Sequence, residues 1–387
     1  MTEQRTSGWA GWLDRSLEER RADNLLRELR SLDPAGPVAA RWRDRDLTLF
    51  STNDYLGLSG HPRVREVVEG AVRRYGLGPR ASALVCGHTR EHRALEEELA
   101  ELKETECALL FPTGFAANTA VLAALAGDRE AAIFSDTLNH ASIIDGCRMA
   151  ARAGAELHVY RHGDVEHLAR LLEGSDRPRK LIVTDSLFSM DGDLAPLVEI
   201  AEVKEAHGAW LVVDEAHATL VLGARGGGAA EALDVAEKVD VHVGTLSKAF
   251  GTQGGFVAGS RALRTWLLNM GRPFVFSTAL PIPVVVAARA ALRVRAGEPE
   301  LVERLFRHLE RFREGTGIPS DSPIVPVVLG TEEEALEAAE RLFEEGLFVP
   351  AIRPPTVPVG TSRLRIALSA AHSEEEVERL IGAVNAL

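Results

Sequence analysis

Cysteine is scarce: Cys86, Cys107 and Cys147 are the only three in 387 residues, and their spacing makes no metal pattern. So thin a set excludes a disulfide framework and a cysteine-based metal site, and it fits a reducing compartment such as the cytoplasm. Positive charge is short as well, 44 basic against 57 acidic residues giving a net charge of -13. That argues against nucleic acid or an anionic membrane as the main partner, although a local arginine cluster can still hold an anionic substrate. The first 32 residues are polar and rich in Arg and Glu, so no signal peptide is expected, and no later apolar run approaches a membrane span. Internal repeats and low-complexity linkers are missing. So is any Gly-Lys dipeptide, which removes the phosphate loop of nucleotide hydrolases. With it goes the helicase reading of the run Asp214-Glu215-Ala216-His217.

What is present belongs to an ordinary globular chain, 45% hydrophobic and 26% charged. Its length suits one large α/β domain and a smaller one. The pattern predicts a charged helix over 14–30, with Leu17, Leu25, Leu26 and Leu29 as a partial apolar face. A short strand over 47–50 leads to the loop Ser51-Thr52-Asn53-Asp54-Tyr55-Leu56-Gly57. Helices are expected over 91–104 and 114–125. Seven strands are expected over 108–111, 131–135, 156–160, 181–184, 210–214, 239–244 and 255–258. Short β-branched runs separated by helical stretches imply a mostly parallel seven-stranded sheet covered on both faces. Beyond Pro281 come a long helix from about 284, a strand over 324–329, a helix over 332–345, strand-like runs over 347–352 and 363–368, and a helix from 374. The expected division is an N-terminal helix and arm (1–50), a large α/β domain (51–281) and a small C-terminal α+β domain (282–387).

Lysine is the rarest charged type, five of the 44 basic residues. Lys103, Lys180, Lys204 and Lys238 sit among charged neighbours, where a solvated ammonium is expected. Lys248 lies among small and apolar residues, in Val243-Gly244-Thr245-Leu246-Ser247-Lys248-Ala249-Phe250-Gly251, just after a predicted buried strand. A desolvated amine there suits Schiff-base chemistry, while a plain surface-loop lysine is the competing reading. Asp214 separates the two. It ends an apolar strand where open α/β sheets place ligands, and a carboxylate there suits the partner of a pyridinium nitrogen. A helix N-cap is the bland alternative for it. His217 could reach the ring hydroxyl of such a cofactor. The turn Thr113-Gly114-Phe115-Ala116-Ala117-Asn118 follows a strand and opens a helix, so its backbone N–H groups can cradle a phosphate. His140, in Asn139-His140-Ala141-Ser142, could stack on a ring. Phosphate cradle, strand-end aspartate and buried lysine, in that order on one sheet, point to pyridoxal 5'-phosphate (PLP).

These motifs, with Phe188-Ser189-Met190-Asp191-Gly192-Asp193 and the segment from Gly244 to Gly255, resemble the α-oxoamine synthases. That family is a branch of the aspartate aminotransferase-like, fold-type-I PLP enzymes, and the resemblance runs from about Leu17 to the C-terminus. It implies that Lys248 carries the cofactor and moves protons, and that Asp214 pairs with the pyridinium nitrogen. It also implies that His217 and Ser189 contact the phenolic oxygen, and that His140 stacks on the ring. Gly114, Phe115 and Thr245 would lie at the phosphate. Ser277 and Thr278 would serve the partner subunit's phosphate site, making a homodimer. Arg365 would clamp the amino-acid carboxylate with help from Asn53, while Arg27, in the N-terminal helix, and Thr356 match substrate-binding positions.

The stretch Ala351-Ile352-Arg353-Pro354-Pro355-Thr356-Val357-Pro358 is similar to that of the family's biotin-pathway members, where a rigid loop mounts Arg353 and Thr356 toward the substrate's far end. The implied reaction is decarboxylative condensation of L-alanine with a pimeloyl thioester, on CoA or an acyl carrier protein. The alternatives are a sister acyltransferase such as a glycine C-acetyltransferase, and a catalytically silent PLP-fold protein with a regulatory role. No metal is expected. Two departures stand out: Ala218-Thr219-Leu220 where the family usually has Gly-Thr-Gly, and Ser186 where glycine is frequent.

Overall fold

The computed structural model describes residues 8–387, which divide into two compact units. The larger comprises Asn53–Arg307 with Ser369–Ala371, and the smaller joins the chain up to Thr52 with His308–Leu368 and His372–Leu387. This division differs from the expected one on both sides. Helix Ile282–Gly297 stays with the larger unit because it packs along Pro62–Tyr75 and Arg90–Leu102, burying Val285, Ala288 and Ala291. The N-terminal arm joins the smaller unit because its strand Arg45–Leu49 pairs with Leu347–Phe348.

In the larger unit seven strands lie in the order Cys107–Phe111, Gly255–Gly259, Val241–Thr245, Trp210–Asp214, Arg179–Asp185, Ala131–Asp136 and Glu156–Tyr160. Gly255–Gly259 runs antiparallel to both neighbours, and every other adjacent pair is parallel. Successive side chains point to opposite faces, so Leu181, Val183, Val212 and Val243 enter one core while Ile182, Leu211 and Val213 enter the other. Both faces are therefore apolar, which is why these strands read as unbroken hydrophobic runs rather than alternating ones. Each such side chain contributes about 1.5–3 kcal/mol when fully buried. Parallel strands also bring their C-terminal ends to one edge, and Asp136, Asp185, Asp214 and Thr245 line up there.

The smaller unit holds a four-stranded and a three-stranded sheet. The run expected as one strand over 347–352 is two. Leu347–Phe348 pairs with Thr48 and Leu49, whereas Ala351–Ile352 pairs with Leu364 and Arg363. Pro350, which has no N–H to give a ladder, sits at the break. Helices Glu332–Glu344 and Glu374–Asn385 each begin with a capping box, Thr331 with Glu334 and Ser373 with Glu376.

The N-terminal helix is Gly8–Ala22, not 14–30. Asn24 takes a left-handed conformation (φ 56°) and the chain then leaves helical geometry. Leu29 is fully exposed, so the expected apolar face is not buried, and Arg27 lies on irregular chain rather than on a helix.

Candidate active site

Asp214 is fixed through both carboxylate oxygens. The Ala216 N–H donates to Oδ1 at 2.8 Å, and the Asn118 side-chain amide donates to Oδ2 at 2.6 Å. Asn118 stands one turn into the helix Gly114–Ala126, so a single rigid element carries both the turn at Gly114 and the clamp on Asp214. The same amide donates to Ser142 Oγ at 2.9 Å. Ser142 lies 2.7 Å from His140 Nδ1 through its hydroxyl and donates its N–H to that nitrogen at 3.2 Å. With Ser142 Oγ accepting from Asn118, its own proton points to Nδ1, which assigns the His140 proton to Nε2. Desolvation holds the His140 imidazole below its ordinary range. Asp214 opposes that shift and Lys248 reinforces it. A neutral His140 joined to Asp214 through Ser142 and Asn118 is the result.

The backbone of His140 is anchored too, its N–H donating to Asp185 Oδ2 at 2.6 Å. Burial, and then the nearby Asp214 charge, push the Asp185 carboxyl well above the usual carboxylate range. On the far side of Asp214, His217 Nδ1 and the Tyr55 hydroxyl share a hydrogen bond of 2.7 Å. That hydroxyl also donates to Asn53 Oδ1 at 3.3 Å, which brings Asn53 to the aspartate turn.

Lys248 is half-buried in a loop closed on itself. Leu246 N–H donates to the Gly254 carbonyl at 3.0 Å, and Gly251 N–H to the Lys248 carbonyl at 2.8 Å. Gly251 has φ 65°, and a Cβ there would come within 2.3 Å of the Ser59 nitrogen, so only glycine fits this loop. Lys248 acts electrostatically on both His140 and Asp185, which puts its ammonium among the strand-end groups. Thr245 packs on the Gly114 turn, where an added Cβ would meet the Thr245 side chain at 3.2 Å. A Cβ on Gly255 would lie 2.5 Å from the Thr113 carbonyl carbon, so this cradle is built from bare backbone. Thr113 caps the helix by accepting from Ala116 N–H at 3.0 Å, and the first helical N–H groups have no partner within the helix. Phe115 is exposed beside them. An anion cradle, an anchored carboxylate, a neutral histidine and an amine on one sheet edge are the donor set that PLP requires.

Ser189 follows Phe188 in the loop after Arg179–Asp185. Nearby, His162 meets Asp136 Oδ1 at 3.0 Å and Asp193 Oδ2 at 2.8 Å. Hydrogen bonds from both carboxylates raise its pKa to about 10. A folded-state value above the ordinary 6.5 means the stabilisation is complete below about pH 6.5 and lost as pH rises through about 10. Urea unfolding of the wild type should therefore show stability falling across that window, and His162→Gln should flatten the fall.

Lys103 corrects the expectation of a solvated amine. It is 3% exposed, ion-paired with Glu215, and donates to Thr219 Oγ1 at 3.0 Å and to the Gly227 carbonyl. Desolvation alone would raise the Glu215 pKa, but Lys103 holds it well below the usual carboxylate range. The pair braces the residue after Asp214 from behind. Lys103→Met should cost about 3–5 kcal/mol in urea unfolding, because a buried carboxylate is left alone, and adding Glu215→Leu should recover part of that loss. The two departures from the family pattern also find their places. Leu220 adopts φ 68°, a conformation glycine takes more readily, and is fully buried. Ser186 donates through its hydroxyl to the Asp214 carbonyl at 3.1 Å, one more support for that residue.

The remaining expected residues fall into three groups. Ser277 and Thr278 line a small cleft with His88, His92 and Phe274, and Thr278 bridges to Ser82. In the smaller unit Arg365 is buried in strand Ser362–Ala367. Arg27 reaches the Pro354 carbonyl at 3.4 Å and Thr356 Oγ1 at 3.5 Å, while Arg353 donates to the carbonyls of Asn24 and Leu26. Desolvation, and then the nearby Arg27 charge, lower the Arg353 pKa. Sequence reasoning missed Asn118, Tyr55, Asp185, Lys103 and His162 as contributors.

The sequence model of the family described as aminotransferase class I and II matches residues 45–384, and the chain belongs to that family of PLP-dependent, fold-type-I enzymes. Within it, the 8-amino-7-oxononanoate synthase of Anaeromyxobacter dehalogenans is 51% identical over 386 residues, covering 98% of this chain and 96% of the relative. A solved serine palmitoyltransferase from S. paucimobilis with a bound PLP–myriocin aldimine matches at TM-score 0.92 and 32% identity, covering 98% of both chains. The crystal structure of 8-amino-7-oxononanoate synthase from Francisella tularensis matches at TM-score 0.75 and 27% identity, covering 88% of this chain and 97% of that one. The resemblance read from the motifs is thus borne out. Among the described residues no helix is long and apolar enough to cross a membrane, and no cluster of side chains could hold a metal.

Proposed function

We propose that this chain condenses L-alanine with a pimeloyl thioester, releasing CO2 and the thiol carrier and giving 8-amino-7-oxononanoate, a step of biotin biosynthesis. The observation that carries the reading is near full-length similarity at 51% identity to a synthase of that name, in a chain whose strand-end groups fit PLP. PLP, when bound, supplies an electron sink for charge developing at the α-carbon of the amino acid.

The protein's own groups do the rest. Lys248 would hold the cofactor, and its Nζ would take the α-proton of the amino acid and later return a proton. Asp214, held by Asn118 and the Ala216 N–H, keeps the ring nitrogen protonated. His140, neutral and fixed by Ser142, supports the ring face. His217, set by Tyr55, and Ser189 face the phenolic oxygen. Gly114, Phe115 and Thr245 receive the phosphate, with Ser277 and Thr278 contributed to the partner's site. Arg365, aided by Asn53, takes the amino-acid carboxylate, and its bidentate fork orients the bond to be broken. Arg27, Arg353 and Thr356 suit the far carboxylate of the pimeloyl chain, since two neighbouring guanidiniums favour an anion between them.

A homodimer follows from the partner role of Ser277 and Thr278. Exposed Leu84, Val85 and Phe276, beside the Ser82–Thr278 bridge, support an interface there. An acyl carrier protein is the alternative carrier to CoA, and the compartment is the cytoplasm. A product assay tests the function: with PLP present, pimeloyl-CoA and alanine should give the nine-carbon product. Preference for glycine with acetyl-CoA would overturn the assignment.

A further inference from the structure

His162 follows the strand Glu156–Tyr160, outside every motif that points to PLP. Its two ring nitrogens engage two different loops of the active edge. One partner is Asp136, the buried last residue of strand Ala131–Asp136. The Asp136 carboxylate also accepts the N–H of Leu138 at 2.8 Å and of Gly163 at 3.0 Å. The first closes the turn that runs directly into Asn139 and His140, and the second ties the segment carrying His162 to it. The other partner is Asp193, at the far end of the loop that carries Ser189. That loop is tied into a ring by Phe188 N–H donating to the Asp193 carbonyl and Gly192 N–H donating to the Phe188 carbonyl, both at 2.9 Å. The Phe188 side chain meets the His162 ring edge-on, with centroids 4.4 Å apart at 86°. Two carboxylate acceptors require both ring nitrogens to donate, so the bridge is an imidazolium. Without it, two carboxylates would face each other across the gap between the loops.

We propose that His162 is a positioning residue that locks the turn delivering His140 to the loop delivering Ser189, setting both at the cofactor together. This rests on the reading of His140 and Ser189 as cofactor contacts. Asp193 is 43% exposed on its side chain, so its carboxylate can be altered with little risk to the fold. Such a lock acts on rate through sub-ångström placement rather than on substrate affinity.

The test uses holoenzyme of the wild type, His162→Gln, Asp193→Asn and the double variant. Measurements are kcat and KM for alanine per bound PLP, the visible absorbance band of the bound cofactor, and Tm. Each single variant should keep PLP reducible onto Lys248, shift the band, and lower kcat about tenfold with KM within about twofold. The double variant should be no slower than His162→Gln, because both changes break one bridge. In His162→Gly, added imidazole should restore part of the lost rate. A wild-type band and wild-type kcat per bound PLP, even with a lowered Tm, would make His162 merely structural and overturn the proposal. So would additive losses in the double variant. If the wild type instead makes no product from alanine and pimeloyl-CoA while the band still shifts in the variants, the assigned reaction fails and the positioning role stands.

Discussion

Lys248→Ala should lower kcat by roughly four orders of magnitude or more, with the protein still folded. Two losses combine. On the proposed role, the amine that would hold the cofactor covalently is gone, and so is the base that would take the α-proton, which alone is worth about 100- to 10,000-fold. Stability should change little, because the Lys248 side chain is half-buried at the mouth of a loop held by its own backbone bonds, with Gly251 packed on Ser59. Single-turnover assays with alanine, and exchange of its α-proton with deuterated water, separate the two losses. Exchange at the wild-type rate in the variant would remove Lys248 from proton transfer.

The second large effect is expected from Asp214→Asn, about three orders of magnitude in kcat. Its oxygens are gripped by the Ala216 N–H and the Asn118 amide. An asparagine would turn an NH2 toward one of those two donors, so a buried hydrogen bond is lost. If Asp214 pairs with the ring nitrogen as proposed, a neutral amide would also fail to sustain the charge there. Asn118→Leu tests the geometry separately. It keeps the carboxylate but frees one oxygen, and should cost only about tenfold, close to a single buried charged hydrogen bond. Steady-state kinetics at saturating PLP make the comparison. Equal losses in the two variants would mean that Asp214 acts through its hydrogen bonds and not its charge.

The sheet was legible because its strands are apolar on both faces, so 156–160 and 210–214 end where the expectation put them. Lys248 and Asp214 stood out in the sequence for a related reason, as polar groups standing in apolar surroundings. What holds them did not. Asn118 meets Asp214 across 96 residues, Tyr55 meets His217 across 162, and Lys103 meets Glu215 across 112. Such pairs exist only once the sheet has assembled, and each partner looks unremarkable in its own segment. Lys103 shows the error most plainly: charged neighbours in sequence suggested solvent, yet its closest companions in space are buried. The helix expected over 14–30 failed differently, since its leucine spacing outweighed Asn24, a residue able to take the left-handed turn that ends it.

The most direct test of the whole account is to reduce the purified holoenzyme with borohydride, digest it, and map the PLP-bearing peptide by mass spectrometry. The adduct should fall on Lys248 alone, with none on Lys103 and no reducible cofactor in Lys248→Ala. An adduct on any other lysine of the wild type, or a reducible cofactor persisting in that variant, would contradict it.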